Sequence, residues 1–180
     1  VGGVGVTVLG GDDGDRGQVA ADPGGTDTST LTFTDASGST HEFAAQDIGV
    51  ACSAEGRLYL ARNSVLDALS AGTDPEEVPL ETPVLYVDLI VDKITPGQVF
   101  DLPFDINNRS DKRPMTFFFT SDDGGKRDNE LSSAEPGSSG TVTILEASCD
   151  PKPVLSLAID GTVGSEVEQP ALAITGEYRS

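Results

Sequence analysis

Apolar residues in this chain fall in short alternating runs broken by Gly, Pro, Asp and Ser, a pattern that predicts strands. Leu31-Thr32-Phe33-Thr34 and Thr40–Phe43 flank the turn residues Asp35-Ala36-Ser37-Gly38 and read as a hairpin. A second hairpin runs Ile48–Cys52, turns at Ser53–Gly56 and returns through Arg57–Ala61. Strand side chains alternate, so Ile48, Val50 and Cys52 share one face, and Cys52 is expected to point into a core. Asn63–Gly72 is the one convincing helix: Asn63 or Ser64 caps it, Val65, Leu66 and Leu69 form its apolar stripe, and Gly72 ends it.

Thr73–Pro83 holds three prolines and four acids without a base, and reads as a stiff connection. Val84–Lys93 is the strongest strand, with Leu85, Val87, Leu89 and Val91 on one face and Tyr86, Asp88, Ile90 and Asp92 on the other. Ile94-Thr95-Pro96-Gly97 turns the chain into Val99–Phe104. After the polar loop Asn107–Pro114, Met115–Thr120 carries consecutive phenylalanines that point to both faces, as in a strand covered on both sides or lying at an interface. Ser121–Gly140 reads as a long polar loop, and Thr141–Ser148, Val154–Ile159 and Ala171–Tyr178 complete the set. About nine or ten short strands with turn signals between them, and one short helix, predict a mainly β protein built as a β-sandwich.

The N-terminal part differs in kind. Val1–Gly11 is uncharged and apolar, ends abruptly at Asp12-Asp13-Gly14-Asp15-Arg16, and reads as the outer end of a truncated signal or anchor segment that would continue upstream of Val1. A Val/Gly-rich first strand is the alternative. Gln18–Ser29 lacks periodicity and large apolar residues and reads as a flexible tether. The expected organisation is therefore a remnant and tether over residues 1–29 and a single sandwich domain over residues 30–180.

Charge narrows the partners. Thirty acids against eleven bases give a net charge of −19 in 180 residues. Such a surface repels nucleic acid and anionic lipid, because phosphate binding needs clustered Lys and Arg. Solubility at high salt would explain the same excess. The two cysteines, Cys52 and Cys149, lack the Cys-x-x-Cys spacing of redox and zinc sites. They are read as a disulfide, with two separate buried thiols as the alternative.

The stretch Thr95-Pro96-Gly97-Gln98-Val99-Phe100 through Asn108-Arg109-Ser110-Asp111, Pro114-Met115 and Thr116-Phe117 resembles the immunoglobulin-like and cupredoxin-like sandwiches of exported bacterial proteins. The resemblance implies the fold but not the copper. Blue-copper centres use two His and a Cys with an axial Met. Here Met115 takes the place of the family's first His, and the single His of the chain, His41, lies on a distant hairpin. The layout of apolar stub, Gly/Asp/Thr tether and disulfide-linked β domain is also similar to envelope lipoproteins and antigens of actinobacteria. No lipidation cysteine stands near Val1.

Catalytic machinery is not legible. His41 sits on the strand face of Phe43 and reads as a core-edge residue rather than a base. Ser138-Ser139 lies in flexible-loop composition and no Gly-x-Ser-x-Gly elbow occurs. Gly2-Gly3-Val4-Gly5 is followed by no Lys-Ser/Thr, which rejects a phosphate loop. Asp88 and Asp92, as i and i+4 on a strand, would stand about 13 Å apart, too far for paired-carboxylate chemistry. No cofactor is implied. Calcium is the most reasonable metal: Asp12, Asp13, Asp15 and, separately, Asp122, Asp123, Asp128 and Glu130 offer hard oxygens. Neither set follows the EF-hand order, and both are read as solvated acids, with no metal assigned.

One asymmetry stands out. Arg109, Lys112, Arg113, Lys126 and Arg127 are five of eleven bases and flank the strand holding Phe118. Arg and aromatic residues are enriched at contact cores, so these six residues form the candidate partner-binding rim. The expected role is a non-catalytic extracytoplasmic binding or accessory module of the cell envelope, taking a protein or envelope component as partner. The alternatives are a secreted hydrolase with loop carboxylates and an extracytoplasmic sensor domain of a membrane protein.

Overall fold

A computed structural model describes residues 5–8, 17–21, 28–34, 38–71, 84–103, 115–120, 131–165 and 172–180. In chain order these form β1 (Gly5–Val8), β2 (Gly17–Ala21), β3 (Thr28–Ser29), β4 (Thr32–Thr34) and β5 (Thr40–Glu42). The hairpin β6 (Ile48–Ser53) and β7 (Arg57–Arg62) follows, then α1 (Asn63–Ser70) and β8 (Val84–Ile90). The remainder comprises β9 (Gln98–Asp101), β10 (Met115–Thr120), β11 (Leu131–Ser132), β12 (Ser139–Ser148), β13 (Val154–Ser165) and β14 (Leu172–Arg179). The protein is mainly β, sandwich-like, and α1 is the single α-helix among the described residues.

Two antiparallel sheets carry these strands. The first runs β1-β2-β6-β7-β8-β10-β11. In the second, β9 pairs β12, β12 pairs β13 and β13 pairs β14; β3 and β4 then lie in turn along the far edge of β14, and β5 closes the sheet against β4. The long β13 belongs to both, because Gly164 and Ser165 pair with β11 at its end. Strands twist and bend, so one long strand can leave one layer and join the next.

The core lies between the layers. Val50, Leu58, Leu60, Leu85, Val87 and Leu89 of the first sheet pack with Val142, Ile144, Leu155, Leu157, Ile159 and Ile174 of the second. Alternation had put Val50 on one face of its strand and Leu85, Val87 and Leu89 on one face of theirs, and all four are buried. The outer face of the first sheet is covered as well, since Leu66 of α1 sits on Ala51, Tyr59 and Ala61. Gly49 lets the helix approach: a Cβ there would run into Asn63 Oδ1 and stand 2.9 Å from Leu66 Cδ1.

Several elements depart from expectation. The strand expected over Val84–Lys93 ends at Ile90, and Val91–Lys93 forms a 3-10 turn. Val91 N–H donates to Gly56 O of the β6–β7 turn at 3.1 Å and Ile94 N–H to Val91 O at 3.0 Å, so the backbone turns although the apolar alternation continues. Val154–Ile159 extends to Ser165, with polar Asp160 and Thr162 on its solvent side. Within the expected polar loop Ser121–Gly140, Leu131–Ser132 forms a strand and Ser139 already begins β12. Where a tether was expected, β2 pairs with β1 and with β6, and β3 pairs with β14.

Candidate functional site

Of the six residues of the expected binding rim, Arg109, Lys112, Arg113, Lys126 and Arg127 lie outside the described residues. Phe118 lies within β10, where its backbone pairs in register with Tyr86 of β8. The acids considered for calcium, Asp12, Asp13, Asp15, Asp122, Asp123, Asp128 and Glu130, also lie outside. Among the described residues no three His, Cys, Asp or Glu side chains gather in a way that could hold a metal ion.

The expected disulfide is present. Cys52, at the inner face of β6, is bonded to Cys149, which follows the last residue of β12, with a Cα–Cα distance of 5.8 Å. It joins the two sheets directly and is flanked by the shared core. No free cysteine remains among the described residues. By chain entropy, closing an interval of 97 residues stabilises the fold by about 4–5 kcal/mol.

A polar cluster that the sequence reading missed lies on the outer side of the first sheet. Arg57 Nη2 donates to Asp88 Oδ2 at 2.6 Å, and Tyr59 pairs in register with Asp88 on the neighbouring strand. Tyr59 is buried, the Asp88 side chain is 15% exposed and that of Arg57 35%. Burial pulls the Arg57 guanidinium toward deprotonation, but the hydrogen bond and charge of Asp88, together with Tyr59, outweigh it and raise its proton affinity. Burial pushes the Tyr59 hydroxyl above the usual phenol value, and the charge of Asp88 pushes it further. Asp88 Oδ1 is sealed from solvent without a hydrogen-bond donor. The cluster holds one ion pair and, with its proton affinity raised, a protonated phenol at neutral pH. Its role is to join β7 to β8.

The other candidates fall into structural roles. The His41 ring stacks on Phe33, its register partner, at 5.0 Å and 19°. It is exposed, while Phe43 two residues on is buried. Asp88 is bonded to Arg57 and Asp92 is exposed in the 3-10 turn, so these two carboxylates do not converge. Ser138, expected in a flexible loop, is buried, and its hydroxyl accepts the Gly164 N–H at 2.8 Å. That bond fastens the turn before β12 to the end of β13.

No helix among the described residues is long and apolar enough to cross a membrane. No protein-family profile, curated protein or solved structure matches this chain.

Proposed function

We propose that the chain is a non-catalytic binding or accessory module that works outside the cytoplasm, at the cell envelope. The observation that carries this reading is the Cys52–Cys149 bond between the two sheets. Disulfides persist in oxidising compartments and are rare where glutathione keeps thiols reduced. A layered scaffold fixed in this way suits presentation of loops to a partner, because binding residues concentrate on loops held by rigid elements.

Arg109, Lys112, Arg113, Lys126 and Arg127 around β10 are the proposed contact residues, with Phe118 as an aromatic anchor and a protein or envelope component as the partner. The test is capture from an envelope fraction by the oxidised chain, with the retained component identified by mass spectrometry. Reversal of Arg109, Lys112 and Arg113 to Glu should abolish retention while the circular dichroism spectrum and melting temperature stay near those of the parent. Retention unchanged by the reversal excludes this rim.

A further inference from the structure

The two sheets differ in what lies over their outer faces. Ala51, Tyr59, Ala61 and Leu66 make a second, smaller core on the first sheet. On the second sheet the outward positions carry acids and threonines together with the smaller apolar Val99, Ala158 and Ala173, and no helix among the described residues covers them. One row in register crosses six strands: Asp101 of β9, Thr141 of β12, Asp160 of β13, Thr175 of β14, Thr32 of β4 and Glu42 of β5. Asp101, Asp160 and Glu42 are exposed, and the row contains no base. Arg179, on the same sheet, already pairs with Glu177 of its own strand at 2.7 Å.

Neighbouring strands stand about 4.8 Å apart, so Asp101 and Asp160, both beside Thr141, are separated by about 10 Å. That spacing equals the screening length near 0.1 M salt, which grows to about 30 Å at 0.01 M and shrinks to about 3 Å at 1 M. The carboxylates therefore repel one another in dilute buffer and ignore one another in brine. The whole molecule adds to the effect. Its net charge of −19 is confined to a radius of gyration of about 16 Å when compact and spreads toward about 45 Å in an open unfolded chain, less with the disulfide closed. Unfolding relieves the repulsion, and the relief is largest where screening is weakest.

We propose that the acid and threonine face of the second sheet makes the stability of this fold depend on the cation concentration around it, so that the protein is built for a saline exterior. Threonine suits the positions between the acids, because it is β-branched, favours strands and hydrates without adding charge. The inference concerns the conditions in which the fold persists and does not require the proposed binding role.

Thermal unfolding of the oxidised chain followed by circular dichroism tests it, in NaCl from about 0.01 M to about 0.5 M, the range in which screening changes most. The melting temperature should climb by about 5–10 °C over that range. A Glu42→Gln, Asp101→Asn, Asp160→Asn triple variant should melt higher in dilute buffer and climb less than half as far. A matched variant away from the face, Glu55→Gln, Asp67→Asn, Asp92→Asn, should keep most of the parent's climb. A parent that does not respond to salt overturns the proposal. So does an equal climb in sucrose of matched osmolality, or an equal loss of response in both triple variants.

Discussion

Arg57 and Asp88 lie 31 residues apart in the chain and 2.6 Å apart in space, on strands made neighbours by the first sheet. The contact matters because one carboxylate oxygen, Asp88 Oδ1, is buried with no donor, and among the described residues Arg57 supplies the hydrogen bond to the other.

Replacing Arg57 by Met should therefore destabilise the fold by about 1–2 kcal/mol, a figure held down because Arg57 is partly exposed and screened. Arg57→Met with Asp88→Leu should recover most of the loss, since removing both partners leaves no buried charge. Urea unfolding of the two variants reads the difference.

Tyr59 makes stability fall at alkaline pH. Its hydroxyl releases its proton less readily in the folded chain than in the unfolded one, chiefly through burial. The contribution is complete below the ordinary phenol value of about 10 and is lost as the pH rises through the folded value. Tyrosinate absorbance should show Tyr59 ionising late, and Tyr59→Phe should remove that step and reduce the alkaline decline in melting temperature.

Cys52→Ala with Cys149→Ala should lower stability by about 2–4 kcal/mol, somewhat less than loop-closure entropy alone gives. Intact mass after alkylation, with and without reduction, establishes the starting state: no label before reduction and two after it, since the chain has two cysteines. The sheets remain joined by β11 against β13 and by a shared core, so the variant should still fold, with the same strand signal.

Gly176 is held at φ +123°, and a Cβ there would strike the carbonyl of Thr30, between β3 and β4. Thr30 is bound to the adjacent residue, donating its N–H to Glu177 O at 2.8 Å and accepting the Glu177 N–H at its hydroxyl at 3.0 Å. Gly176→Ala should cost about 2–3 kcal/mol, through strain at an unfavourable dihedral and displacement of that edge. Faster amide exchange at Thr30 and Glu177 would locate the damage.

Local periodicity carried much of the fold. The hairpins around Asp35–Gly38 and Ser53–Gly56 were legible because each run alternates and each turn has turn chemistry, and Cys52 followed from its place beside Ile48 and Val50. Contacts set by pairing over long intervals were not legible. Nothing near Asp88 announces Arg57, and nothing in Pro136-Gly137-Ser138 announces that Ser138 will meet Gly164. Leu131–Ser132 is too short to have a period, and the strand through Val91 was cut by a bond to Gly56 that belongs to another turn. The candidate site was read from charge asymmetry alone, a compositional signal that carries no geometry.

The link between Cys52 and Cys149 also changes what happens when the molecule is pulled. Tension entering through the residues before Cys52 and leaving through those after Cys149 crosses the covalent bridge and bypasses the 97-residue interval between them. Only the flanking segments pay out, by at most about 3.6 Å per residue. The bypassed ring, with the β6–β7 turn, α1 and the strands from β7 to β12, is spared tension along the covalent chain. A module wired in this way extends little under tension and keeps much of its first sheet shielded from the pull.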